Sequence, residues 1–388
     1  MSMRANGASP LEGRSLRWLG PATVGLFFPP SRSSKGVIQM PFQPGQTAPS
    51  TRRRALQGTA LLLAGSLLCG TAAMAQAKKE VVIGYQDMVV PWRHAQETKE
   101  VERRTGYQVT YRKLGSGAEV VRALASGAIQ IGEAGSSPIA AALSQGVPIE
   151  VFWVLDNIND AEALVARNGS GVNSLADLKG KKIGLPFVST THFHALVALQ
   201  DAGIDPRTVR IVNLRPPEIL AAWERGDIDA TFVWDPVLAK VKQSGKVLVT
   251  SGQIAAKTGK ATFDALAVNK EFARAHDAFL TQFVQVLADT DKAYTTNKAA
   301  WTADAAPVQS IAKWSGAEAP AVPASLALYA FVPPAEQAGP QWLGGGKASG
   351  VAKSLAATAA FLKEQGTVQS VLPDYSVGVN PAWVQRAR

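Results

Sequence analysis

The sequence predicts an α/β protein of two lobes, each a mostly parallel sheet flanked by helices, with a pair of crossing strands joining them. Three observations carry this expectation. From residue 80 onward, short apolar runs alternate with segments of helical spacing, the order that lays helices over a parallel sheet. The alternation restarts near Lys182. Two segments also share one layout. Residues 127–138 (GAIQIGEAGSSP) and 226–236 (GDIDATFVWDP) each pass from a helix end through Gly, a strand, a polar pair and Pro. Either they mark two lobes of similar build, or the local preferences for Gly at helix ends and Pro at helix starts produce the match by chance.

Each element follows in order. Residues 81–85 form an apolar strand leading to Gln86, and residues 109–114 alternate as a second. Residues 118–126 have helical spacing, with Val120, Val121 and Leu124 on one face. Residues 129–134 read as strand, 139–144 as helix and 149–154 as a buried strand. Residues 162–166 (EALVA) make the first crossing. In the second lobe, 182–186, 209–214 and 229–233 are strands, and 191–202 and 219–224 are helices. Residues 264–268 (DALAV) make the return, and helices at 278–294, 308–314 and 352–365 rejoin the first lobe. The expected division is an extension over 1–75, a first lobe of 76–163 with 264–388, and a second lobe of 164–263.

The chain has 388 residues and a net charge of +10. Residues 1–75 hold eight basic side chains against Glu12 alone, which leaves 32 basic and 29 acidic residues beyond Ala75. The basicity therefore belongs to the extension, and nucleic-acid binding, which needs a concentrated basic surface, loses its support. Arg52, Arg53 and Arg54 precede an apolar stretch that closes at Ala73-Met74-Ala75, the pattern of a cleaved export signal. Both general and twin-arginine export fit. A membrane anchor is the alternative, but the apolar core over 56–68 is short beside the roughly 20 residues of a bilayer span. Cys69, the one cysteine, follows Ser66-Leu67-Leu68 rather than a small residue, which argues against lipid anchoring. Met1, Met3 and Met40 are all candidate starts.

Three corners share a composition: Gly115-Ser116-Gly117, Gly135-Ser136-Ser137-Pro138 and Val188-Ser189-Thr190-Thr191-His192. Each sits before a helix. In open parallel sheets ligands lie beyond the carboxyl ends of the strands. There the first N–H groups of each following helix lack intrahelical partners and, with the helix dipole, attract an anion. Gly permits close backbone approach, and Ser and Thr add donors without bulk. Three such corners could hold a small oxyanion without any Arg; plain N-capping explains each one singly.

The runs VRALASG (121–127), QIGEAGSSP (130–138), VPIEVF (147–152), PFVSTTH (186–192), IVNLRPP (211–217) and AAWERGDID (221–229) extend the pattern. Together they resemble the aliphatic-sulfonate and nitrate substrate-binding family of ABC importers, its taurine-binding members in particular. FLKEQG (361–366) and DYS (374–376) agree. The resemblance implies a type II, Venus-flytrap binding protein: periplasmic, monomeric, without a cofactor, delivering its solute to an inner-membrane ABC permease. The implied solute is taurine, with other alkanesulfonates as the alternative. Taurine is a zwitterion, so its site needs two halves. Ser116, Gly117, Ser136, Ser137, Thr190, Thr191 and His192 are expected at the sulfonate. Asp264 stands where the resemblance puts an acidic residue for the ammonium, with Glu133 and Asp235 as alternatives. Gln86 and Trp234 would flank the linker, unless Trp234 only packs. Ala265-Leu266 follows Asp264 where the family picture has an aromatic, which implies a roomier, less selective pocket.

Other chemistries have thinner support. His192 and His194 have the spacing of a metal pair and suggest a periplasmic metalloprotein, yet residues i and i+2 diverge on a helix. There is no G-x-S-x-G elbow, no phosphate-loop motif and no cysteine beyond the extension, so no enzymatic nucleophile is in view.

Overall fold

Two five-stranded sheets organise the computed structural model, which describes residues 79–387; the signal-like segment and Cys69 lie outside them. The first lobe opens with β1 (Glu80–Tyr85), α1 (Arg93–Glu97), α2 (Glu100–Thr105), β2 (Gln108–Lys113), α3 (Gly117–Ala125), β3 (Ile131–Gly135), α4 (Ser136–Ser144) and β4 (Ile149–Asn157). The second holds β5 (Glu162–Arg167), β6 (Lys182–Leu185), α5 (Thr190–Asp201), β7 (Arg210–Asn213), α6 (Pro216–Arg225), β8 (Ala230–Trp234), α7 (Val237–Lys242), β9 (Gly245–Thr250) and α8 (Ser251–Thr258). The chain then returns through β10 (Phe263–Asn269) to α9 (Lys270–Ala275), α10 (Asp277–Thr296), α11 (Ala306–Ser315), α12 (Val322–Leu326), α13 (Pro334–Gln337), α14 (Gly350–Glu364) and α15 (Ala382–Arg386).

The strand orders are β2-β1-β3-β10-β4 and β7-β6-β8-β5-β9. In each sheet four strands run one way. The strand that follows a crossing, β10 or β5, runs against both its neighbours. The sheets are therefore mixed, and the two lobes share one build. The sequence repeat falls at matching places, on β3–α4 and on β8–α7. Helices cover the sheets, so β3 is buried throughout and β5 almost throughout, and both read as near-continuous small or apolar runs.

The expected crossing strands are full sheet members, β5 and β10. The crossings themselves are short stretches at 158–161 and 259–262, tied together where Ile158 N donates to Thr262 O at 3.3 Å. Nine elements were not anticipated: α1, α2, α7, β9, α8, α9, α12, α13 and α15. Residues 93–105 (RHAQETKEVERRT) offer only Ala95 and Val101 to the core, so packing rather than periodicity holds α1 and α2. The long α10 buries Phe279, Leu280, Phe283, Val284 and Leu287 at three- and four-residue spacing, each burial contributing about 1.5–3 kcal/mol. After α12 the chain lies against the first crossing, where Ala330 and Asn157 exchange backbone hydrogen bonds of 2.8 and 3.0 Å.

Candidate functional site

A narrow cavity of about 20 Å³ lies between the lobes. The backbone at its edge comes from three helix starts. At α3, Ser116 caps the helix by accepting from Glu119 N at 3.3 Å. Gly117 then sits so close to α4 that a Cβ would lie 2.6 Å from Pro138 Cγ. At α5, Ser189 Oγ accepts from His192 N at 3.0 Å and contacts Thr191 Oγ1 at 2.7 Å. Val188 turns the chain into this helix with φ of 57°, a left-handed conformation costly for a β-branched residue. At α4, a Cβ on Gly135 would lie 2.6 Å from Thr190 Cγ2 and 3.2 Å from Asp264 Oδ1. Gly135 belongs to one lobe and Thr190 to the other, so the cleft is shut. Trp234 Nε1 of the second lobe also reaches Asp87 Oδ1 of the first, at 3.3 Å.

Of the residues singled out from sequence, Gln86, Gly117, Thr190, Trp234 and Asp264 line this cavity. Ser116, Ser136 and Ser137 lie behind its rim on the same helix starts; Ser136 Oγ accepts from Phe263 N at 3.5 Å, and Ser137 Oγ is buried without a partner. Thr191 is buried against Ser189. His192 turns aside, stacked on Phe187 with ring centroids 4.8 Å apart. His194 is held elsewhere, its Nδ1 2.7 Å from Ser251 Oγ and its Nε2 2.8 Å from Lys260 O. The two imidazoles thus have separate partners. Among the described residues no group of three or more His, Cys, Asp and Glu side chains is placed to hold a metal ion.

The acidic candidates separate by their partners. Glu133 is fully buried but paired: Arg93 Nη2 lies 2.6 Å from its Oε1, and Trp92 Nε1 donates to Oε2 at 3.2 Å. Its backbone oxygen accepts from Gln86 Nε2 at 3.0 Å, so Glu133 supports a cavity residue without lining the cavity. Asp235 accepts from Ala239 N at 2.7 Å and from Ser325 Oγ, and it borders a second cavity between α6, α7 and residues 317–325. Asp264 does line the main cavity, and its cross-strand neighbour is Asp156. Burial pushes the Asp264 carboxyl well above the usual range, and nearby Glu162 and Glu133 add to the effect. Asp156 is raised too, by burial and then by Asp264, and neither of its oxygens has a hydrogen-bond partner.

Gly135, Pro138 and Ser189, from the corners singled out, also line the main cavity, and sequence reasoning missed Met88, Glu162 and Tyr329 as lining residues. Glu162, at the start of β5, receives a hydrogen bond from Thr190 Oγ1, and its Oε2 lies 3.0 Å from Ser251 Oγ. Burial pushes its carboxyl up to about 7 even so. Tyr329 arrives from the segment after α12 and supplies an aromatic wall that Ala265 and Leu266 cannot. No Lys or Arg lines the cavity, and Arg93 is the single buried Arg or Lys among the described residues.

Two like lobes, shut over a cavity that gathers helix starts and carboxyl groups, define a clamshell solute receptor. The chain belongs to the periplasmic substrate-binding proteins of ABC transporters. The family model described as "ABC transporter, phosphonate, periplasmic substrate-binding protein" matches residues 89–317. The taurine-binding periplasmic protein of Escherichia coli (strain K12) is 40% identical over 309 residues, which is 79% of this chain and 92% of that one. Two solved structures share the fold at a TM-score of 0.62: the aliphatic sulphonate binding protein SsuA of E. coli and the alkanesulfonate-binding protein SsuA of Xanthomonas axonopodis pv. citri bound to MOPS. They are 21% and 23% identical, each match covering 78% of this chain and 92% and 97% of the respective structures.

Proposed function

We propose that this protein is the periplasmic receptor for taurine in an ABC importer, exported by cleavage near Ala75 and acting as a monomer that hands its solute to an inner-membrane permease. The relative named for taurine and the sulfonate-binding relatives support the solute class. One observation carries the choice within it: a single cavity lined by helix starts and by Asp264 and Glu162, with no Lys or Arg. The helix starts suit a tetrahedral sulfonate. A cation beside these buried carboxyl groups favours their ionised form, and taurine's ammonium supplies one. Trp234, Met88 and Gln86 then flank the two-carbon linker. Other alkanesulfonates, lacking the amine, are the second reading, favoured by the sulfonate-binding relatives and not by the carboxyl groups. Two lobes, residues 76–163 with 264–388 and residues 164–263, close on the solute as rigid bodies, and the protein acts by binding rather than catalysis.

The test is calorimetric titration with taurine, ethanesulfonate, sulfate, nitrate and an amino acid. Taurine binds tightest on this reading; a preference for nitrate, sulfate or the amino acid defeats it. Because solute stabilises only the form it contacts, taurine at a hundredfold excess over Kd adds about 2.7 kcal/mol of stability, seen as a raised Tm.

Closure itself can be blocked. In Gly135→Ala the new Cβ meets Thr190 across the cleft, an overpacking expected to cost about 1–3 kcal/mol, or about 5–150-fold in Kd. Taurine and ethanesulfonate both lose, taurine somewhat more because the Cβ also crowds Asp264 Oδ1 at 3.2 Å, while the empty variant melts near the parent. Unchanged affinity for both would mean that the lobes need not meet there.

A further inference from the structure

Glu162 has a back side that the binding reading does not use. Ser251 Oγ lies 3.0 Å from Glu162 Oε2 and 2.7 Å from His194 Nδ1, and His194 Nε2 lies 2.8 Å from the carbonyl of Lys260, in the second crossing. A carbonyl only accepts, so Nε2 carries a hydrogen. Ser251 has one hydroxyl hydrogen and two partners, Glu162 and the imidazole. If it donates to Nδ1, a protonated Glu162 must donate to it. If it donates to a Glu162 carboxylate, His194 must carry a second proton. A neutral imidazole beside a carboxylate leaves one of these buried contacts without any proton, which is costly. The three side chains therefore hold one proton more than a carboxylate, a hydroxyl and a neutral imidazole would.

Taking the aminosulfonate reading as given, we propose that Glu162, Ser251 and His194 form a proton-holding relay that surrenders its proton to solvent when the ligand ammonium arrives, so that amine-bearing sulfonates are captured in exchange for a proton. In the step, the Glu162 O–H bond breaks, the proton passes to water or buffer, and the carboxylate accepts a hydrogen bond from the ammonium, which keeps all its protons. Burial holds the imidazole down at about 4 and the carboxyl up at about 7, so the empty protein keeps the proton on Glu162. The charged neighbours agree. Asp264 on β10, Asp156 on β4, Asp235 after β8 and Tyr329 from the segment after α12 bring no positive charge near Glu162. On β3, Glu133 is paired with Arg93, the sole buried cation of the set. An incoming ammonium is thus the first cation to face Glu162, and it favours the ionised form.

The experiment is calorimetry of the intact protein at pH 6 in succinate, Bis-Tris and imidazole, none of which is a sulfonate. With taurine, the observed enthalpy should change with buffer ionisation enthalpy by an amount matching release of about one proton, and affinity should rise by up to about tenfold per pH unit between about pH 5 and 7. Ethanesulfonate should show neither effect. Glu162→Gln should remove the part of the taurine dependence that Glu162 supplies, leaving only what the raised Asp264 carboxyl contributes, and Asp264→Asn should leave the Glu162 part of about one proton. Infrared difference spectra of the unmodified protein avoid any folding effect: taurine, and not ethanesulfonate, should remove a protonated-carboxyl band. Taurine binding with no buffer dependence overturns the relay. So does a dependence that survives Glu162→Gln and vanishes in Asp264→Asn, or an infrared band that taurine leaves intact. If taurine gives no heat and no thermal shift at all, the taurine reading fails first and the relay falls with it.

Discussion

Asp264→Asn should weaken taurine binding by about 10–150-fold, the equivalent of losing a charge-assisted hydrogen bond of about 1.5–3 kcal/mol. Asp264 is 7% exposed, lines the closed cavity, and lies opposite Asp156 across the β10–β4 pair. The substitution keeps the shape and removes the acceptor charge. An ammonium that had a carboxylate beside it would then face an amide. Ethanesulfonate has no ammonium, so its affinity should hold or rise slightly once a neighbouring acidic group is gone. The diagnostic quantity is the ratio of the two affinities, measured by calorimetry on one preparation. Equal losses would assign Asp264 to packing or closure rather than to the amine. The empty variant should melt no lower than the parent, because burial already disfavours the charged form of Asp264.

Some of the fold and site was legible in the chain, and the reason is locality. Ser116, Ser189 and the Gly135–Pro138 corner announce helix starts through their own φ/ψ and capping preferences, which act over three or four residues. The βαβ order and the repeat on β3–α4 and β8–α7 are likewise written in short windows. The two strands that reverse direction, β5 and β10, look like the others, since period and composition do not encode orientation. The acidic residues show the same limit. Glu133, Asp235 and Asp264 all sit on or just beyond a strand, and nothing local separates them. Arg93, forty residues away from Glu133, and Ser325, ninety from Asp235, give those two their partners. Asp264 receives none of that kind. Glu162 was read as backbone for a crossing because its partners, Thr190 and Ser251, lie 28 and 89 residues downstream. Tyr329 had no signal at all: its place follows from the way the segment after α12 lies along the first crossing.

The largest stability effect should come from Arg93→Met. Arg93 is fully buried, 2.6 Å from Glu133, and it also donates to Gln86 O at 2.8 Å. Its guanidinium lies 5.0 Å from the centre of the Tyr85 ring and 4.7 Å from that of Trp92. Methionine fills much of the space and removes the charge. Glu133 would remain as an uncompensated buried carboxyl, with Asp264 and Asp156 close enough to raise its energy further. Removing one partner of a buried pair typically costs about 3–5 kcal/mol, whereas replacing both partners is often close to neutral. The single variant should therefore shift the urea midpoint strongly downward, and Arg93→Met with Glu133→Gln should recover most of the loss. Because Arg93, through Gln86 O, and the Glu133 carboxylate, which accepts from Gln86 N at 3.2 Å, both hold Gln86 at the cavity wall, the double variant should bind taurine more weakly even with its stability restored. A single variant within about 1 kcal/mol of the parent would mean that water or another group compensates Glu133, and the pair would lose its role as the pillar behind the site.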